Sequence, residues 1–215
     1  MNRFKASFFI LAVFSLTGCS SVYYNTMEQF GVEKRDILVD RVEEARDSQE
    51  EAKEQFSSAL EQFTTLLNFD GGELQRVYDR LNTEFEQSER RAEEVSDRIR
   101  AVERVSEDLF DEWDDELDLY TDQSLRTSSE RTLRQTRVRY DQLIATMHAA
   151  ENTMVPVLNA FRDQVLFLRH NLNSQAIASL RSEVTSIESD IATLIDEMEA
   201  SIAESNRFLE ELQLI

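Results

Sequence analysis

The sequence predicts an all-α fold, a long antiparallel four-helix coiled-coil-like bundle placed behind an N-terminal export segment. Three observations predict it. The 215 residues include only 4 Gly and 1 Pro, too few turn formers for anything but long helices. Apolar residues recur four and three apart over most of the chain beyond residue 33, which is the seam of packed helices. The turn-forming residues gather between these seams, at Asp70-Gly71-Gly72, Thr121 to Ser124 and Asn171 to Ser174.

The N-terminus reads as a separate unit, residues 1–18. Arg3 and Lys5 precede the apolar run Phe8 to Phe14, and small residues follow, the layout of a secretory signal. The run is too short for a membrane span, which needs about 20 apolar residues. Leu16-Thr17-Gly18-Cys19 resembles the lipobox of bacterial lipoproteins. The alternative is an ordinary signal peptide that ends near a cysteine, or an uncleaved anchor. Cys19 is the only cysteine, so it has no disulfide partner in the chain, and acylation gives it a role in an oxidising space. The resemblance implies lipid on Cys19 and membrane attachment through it. Ser20, rather than aspartate, follows the cysteine, which by the same resemblance favours the outer membrane and a periplasm-facing chain. Residues 19–32 then form a lipid-anchored tether, in which Tyr23, Tyr24, Met27 and Phe30 either sit at headgroup level or cap the bundle.

Residues 33–215 form the bundle domain. The first helix is expected from about Glu33 to Asn68. Its seam is Leu38, Val42, Ala45, Ala52, Phe56, Ala59, Phe63 and Leu66, with Gln49 in the one polar slot. Gly71-Gly72 frees the backbone for a tight reversal, and Phe69 plugs the end of the core. The second helix, about Glu73 to Tyr120, repeats Leu74, Leu81, Ser88, Val95, Val102 and Leu109, with Phe85, Ala92 and Ile99 as its other seam and Trp113 and Tyr120 at its end. The third, about Leu125 to His170 and capped by Ser124 or Ser128, carries Tyr140, Met147, Met154, Phe161 and Leu168, and beside them Ile144, Glu151, Leu158, Val165 and Leu172. Pro156 falls inside it, and a kink is expected near Asn152.

At Asn171 to Ser174 the heptad phase changes. A reversal capped by Ser174 is expected, the alternative being one long rod with a stutter. The fourth helix, about Gln175 to Leu212, has Ile177, Val184, Ile191, Met198 and Leu212 on one seam, and Leu180, Ile187, Leu194, Phe208 and Ile215 on the other. Ile195, Ile202 and Leu209 lie off these seams and either widen the core contact or form a homo-oligomer face. Four such helices with short connections pack up-down-up-down.

Charge narrows the partners. The formal charge is −20, and removing Arg3 and Lys5 leaves 21 bases against 43 acids, or −22. That excludes nucleic acid as a partner and disfavours lying flat on anionic lipid. The second helix ends in Asp108, Asp111, Glu112 and Asp115, and the third opens with Arg126, Arg131, Arg134 and Arg137. A hairpin about Thr121 to Ser124 sets Asp115 near Arg131 and Glu112 near Arg134, which selects the neighbouring helices more than it stabilises them.

Catalytic constellations are missing from the sequence. A carboxylate-bridged metal bundle needs Glu-x-x-His on two helices, but Ala145 and Phe167 stand three residues before His148 and His170. Glu151 falls on a core-like slot one turn after His148. The pair reads as a polar core site, a half site for a metal or proton, or else as a residue that fixes register or snorkels outward. The acidic run 108–122 lacks the pattern of a calcium loop. No serine lies in a Gly-x-Ser-x-Gly elbow, and Gly71-Gly72 has no lysine after it to make a phosphate loop. Met147 and Met154 read as core filling. No metal, cofactor or enzymatic activity is expected.

Several stretches carry a further likeness: Tyr23 to Gly31, Lys34 to Val39, Asn68-Phe69-Asp70-Gly71-Gly72, and His170-Asn171-Leu172-Asn173. They resemble the DUF2959 family, a domain of unknown function found in proteobacterial proteins, over nearly the whole mature chain. The resemblance implies an envelope location and helical content and carries no site residues. The expectation is a non-enzymatic scaffold or partner-binding module that meets another envelope protein. An envelope stress sensor, with Pro156 and Glu151 as its soft point, is the alternative, followed by a metal- or lipid-binding bundle.

Overall fold

The computed structural model describes residues 34–68, 74–181 and 184–212. They form α1 (Lys34–Leu67), α2 (Leu74–Leu117), α3 (Gln123–His170), a short α4 (Ser174–Leu180) and α5 (Val184–Leu212). The expected signal, lipobox and tether, Phe69, the expected turn at Gly71-Gly72, and Ile215 lie outside the described residues.

The long helices form a closed ring in which α1 packs on α2 and α5, and α3 packs on α2 and α5. Every neighbouring pair is antiparallel. Arg98 reaches Glu44 at 2.8 Å and Lys34 reaches Glu112 at 3.0 Å, so α2 descends as α1 rises. Glu89–Arg162 with Asp114–Arg137 sets α3 antiparallel to α2, and Lys53–Glu199 with Arg46–Asn206 sets α5 antiparallel to α1. With 44 and 48 residues in α2 and α3, the bundle is a rod roughly 65–70 Å long. No helix among the described residues is long and apolar enough to cross a membrane.

The heptad seams become the core. All eight seam residues named for the first helix are buried, and so is Gln49. Gln49 Oε1 accepts a hydrogen bond from Ser201 Oγ at 2.9 Å, while its Nε2 meets no acceptor among the described residues. A buried polar pair of this kind costs stability but fixes one helix pairing and one register. Phe63 of α1 and Phe161 of α3 meet edge to face across the bundle, with ring centroids 5.9 Å apart. Leu209 is buried, and Ile195 packs half-buried against the core. Ile195 and Leu209 therefore widen the core contact of the last helix, while Ile202 is half-buried outside that cluster.

Several sequence expectations are corrected. α2 ends at Leu117, so Tyr120 lies beyond the helix and is exposed instead of closing the seam. α3 starts at Gln123 and its cap is Asp122, whose carboxylate accepts from the Ser124 and Leu125 N–H groups at 2.7 and 3.2 Å. The second seam of α3 is Leu143, Ala150 and Val157, all buried, whereas Ile144, Glu151 and Leu158 are half-buried. The far end of α3 at His170, with Pro156 inside the helix, is as expected.

The chain does turn back after His170, but Asn173 is the cap, accepting from the Gln175 and Ala176 N–H groups at 3.1 and 3.0 Å. The expected fourth helix is two helices. Ile177 and Leu180 are buried in the same core as the α5 seam, so the apolar pattern does not register the division. Just after α4, the Arg181 guanidinium donates to the Leu67 carbonyl at 3.0 and 3.2 Å. That contact satisfies an orphan acceptor at the end of α1.

The ion pairs of the α2–α3 hairpin also differ. Glu112 binds Lys34, Arg134 lies 3.6 Å from Glu130, and the cross-helix pairs are Asp118–Arg126 at 2.9 Å and Asp114–Arg137 at 2.5 Å. Side chains tilt toward the N-terminus of their own helix. On an antiparallel pair this brings together residues that lie further along both chains than a simple fold-back suggests, as in Asp114–Arg137.

Candidate functional site

The sequence singled out His148 and Glu151, and the structure brings them together with a third residue. α3 holds both on one side, one turn apart, and α2 supplies Glu103. His148 Nδ1 lies 2.9 Å from Glu151 Oε2, and Nε2 lies 2.9 Å from Glu103 Oε1. A ring nitrogen donates to a carboxylate only when it carries hydrogen, and two such contacts suit the imidazolium, which donates from both. Burial alone would lower the His148 pKa, but the hydrogen bonds it donates to Glu151 and Glu103, with the charges of both carboxylates, outweigh it and hold the group above its ordinary range. Burial would likewise raise Glu151. Hydrogen bonds from Ser96 and His148, with the charges of His148 and Arg100, hold it below instead.

This cluster is a surface clip between α2 and α3, not a core site. Its side chains are a quarter to two-fifths exposed. Both imidazole nitrogens face carboxylates, and no group of three or more His, Cys, Asp or Glu among the described residues is placed to hold a metal ion. Its chemistry is that of a charge-assisted brace. Nearby, burial pushes the half-buried Tyr140 hydroxyl up to about 12, and the Glu103 charge adds to the effect. Glu103 was not found by sequence reasoning. Folding the chain about Thr121 to Ser124 sets it opposite Gln142, and only the side-chain tilt described above carries it to His148.

The pH dependence of the clip has a definite sign. His148, raised from 6.5, contributes stability that is full below that value and is lost as pH rises through its folded pKa. Glu151, lowered from 4.5, contributes above that value and is lost as pH falls through its folded pKa. The clip is therefore strongest between pH 4.5 and 6.5. His148→Gln should lower stability most in that window, by about 1 kcal/mol or less at such exposure. Urea titrations inside and well above the window check this, and a gap that does not change with pH would reject it.

The tip of the α2–α3 hairpin has its own small core of Phe110, Leu117 and Leu133, with Trp113 and Tyr140 against it. Phe110 and Tyr140 meet edge to face at 5.4 Å, the Arg137 guanidinium stands 5.3 Å from the Phe110 ring centre, and Trp113 Nε1 donates to Ser129 Oγ at 2.8 Å. Beside it a groove of about 590 Å³ opens between α3 and the end of α5, lined by Arg131, Arg134, Val138, Phe208 and Leu212 among others. The lipobox residues Leu16, Thr17, Gly18 and Cys19 lie outside the described residues, so the structure does not bear on them.

No curated protein and no solved structure matches the chain. The family model described as a protein of unknown function, DUF2959, matches residues 23–212. That match takes in every described helix, and the chain belongs to the DUF2959 family.

Proposed function

We propose that the chain is a non-enzymatic envelope lipoprotein, a helical-bundle scaffold or partner-binding module tethered to the periplasmic face of the outer membrane. The observation that carries the reading is Leu16-Thr17-Gly18-Cys19 behind its short apolar run. Rigid long helices begin at Lys34, fifteen residues after Cys19, an arrangement that suits a rod held to a membrane by one foot. A single acyl chain binds membranes marginally, with a constant of about 10⁴ M⁻¹, so stable attachment takes more than one. Acylation at both sulfur and amine of Cys19 meets that need.

Cys19→Ser should move the protein from the membrane fraction to the soluble fraction of lysed envelopes. Mass spectrometry of the wild-type N-terminal peptide should find Cys19 as the first residue, carrying diacylglycerol and an amide-linked acyl chain. An unmodified Cys19 peptide, or wild-type protein washed off without detergent, would refute the anchor. Crosslinking in intact envelopes tests the scaffold role. Recovery of no protein partner would count against it.

A further inference from the structure

We propose that the α2–α3 tip is a second membrane contact, which seats on a zwitterionic phospholipid surface rich in ethanolamine headgroups. This rests on the anchor reading above. Leu119, Tyr120 and Leu125 are 77%, 41% and 58% exposed. They crowd into seven residues at the turn beyond Leu117 and the start of α3, and the other large apolar side chains among the described residues mostly line the core. Two leucines and a tyrosine at one end of a rod make an interfacial wedge, since tyrosine places its ring in the boundary and its hydroxyl in water.

Position commits this wedge to a membrane. Lys34 begins α1 and pairs with Glu112 near the end of α2. It also lines one cleft together with Leu119. The segment that leads to Cys19 thus departs from the same end of the rod as the wedge. Its fifteen residues reach at most about 50 Å when extended, which keeps the tip within that distance of the bilayer and allows it to touch. Gln175 and Arg181 lie at the opposite end, beside the close of α1, beyond the reach of that surface when the tip is seated.

Charge selects the lipid. Residues 108–122 hold eight acids and no base. Lys34, Arg126 and Arg137 pair with Glu112, Asp118 and Asp114, which leaves the collar negative. A negative collar is repelled by anionic headgroups, whereas net-neutral phosphatidylethanolamine imposes no such repulsion and its ammonium can donate hydrogen bonds to the collar's carboxylates. The wedge therefore suits ethanolamine lipid and is disfavoured on phosphatidylglycerol.

The test uses the acylated full-length protein in vesicles of phosphatidylethanolamine and phosphatidylcholine in equal parts. Cys19 is the only cysteine and its sulfur is alkylated on the anchor reading, so Leu119→Cys offers one thiol for an environment-sensitive dye. Leu125→Cys serves as a second reporter should the first disturb the turn, and Gln175→Cys reports the far end. Dye at 119 and 125 should shift to the blue and lose emission when brominated lipid is introduced, while dye at 175 does neither. Replacing the ethanolamine lipid by phosphatidylglycerol should reduce the shift. If the protein sediments with vesicles but dye at 119 and 125 behaves as at 175, the tip contact is overturned. An undiminished shift on phosphatidylglycerol overturns the lipid preference. Two dyes per chain, with no sedimentation, would instead sink the anchor reading and this inference with it.

Discussion

Phe161→Ala should lower the free energy of unfolding by about 3–5 kcal/mol, the largest loss expected from a single truncation. The ring is fully buried toward the end of the rod opposite the α2–α3 tip and stands edge-on to Phe63 across the bundle. Its removal forfeits transfer free energy, leaves a cavity, and breaks an aromatic pair worth about 0.5–1.5 kcal/mol beyond its area. Four packed helices around the gap limit how far the site can collapse, so the cavity cost stays high. Phe167 is the control, since it lies on the same helix with 41% of its surface exposed. Phe167→Ala should stay within about 0.5 kcal/mol. Urea titrations with an unchanged slope would read both. Equal effects from the two substitutions would mean that α3 faces the core differently. The double substitution with Phe63→Ala should cost less than the sum of the singles, because the second truncation finds the pair already broken.

Much of the architecture was legible because a heptad seam is a local signal. The first helix shows this most fully. Each of its eight seam residues is buried, and the single interruption, Gln49, is buried with a hydroxyl partner on α5. What the sequence could not show depends on backbone geometry at turns and on atoms far apart in the chain. Asp122 rather than Ser124 caps α3, because a cap is chosen by where the preceding turn leaves the backbone, and both residue types suit the role. The division between α4 and α5 is invisible to apolar spacing, since Ile177 and Leu180 feed the same core as Ile187 and Ile191. Its visible anchor is Arg181 on the Leu67 carbonyl, a contact between residues 114 apart.

The candidate site was half legible for the same reason. His148 and Glu151 stand one turn apart, and that spacing can be read. Their meeting with Glu103 needs the offset between α2 and α3. The expected Asp115–Arg131 and Glu112–Arg134 pairs miss by a similar margin, whereas Asp118–Arg126, next to the turn, follows the simple fold-back. Asp114–Arg137, Glu103–His148 and Glu89–Arg162 share one offset along the hairpin, displaced from a simple fold-back in the direction that side-chain tilt requires.

Leu143→Ala should cost about 2–5 kcal/mol, while Ile144→Ala, of similar size and one residue along, should cost markedly less. On spacing alone the two are equivalent. Ile144, Glu151 and Leu158 repeat every seven residues, and so do Leu143, Ala150 and Val157. An α-helix turns about 100° per residue, so adjacent positions cannot both point to the core centre. Burial decides between them, with Leu143 fully inside and Ile144 on the flank. The same choice moves Glu151 outward to His148 and spares the core a carboxylate, whose unpaired burial would cost several kcal/mol. Paired unfolding measurements on the two variants therefore test the rotation of α3 about its own axis. If Ile144→Ala proved the costlier, the helix would be turned by one position, and the His148 clip would have to point into the core instead of bridging to Glu103.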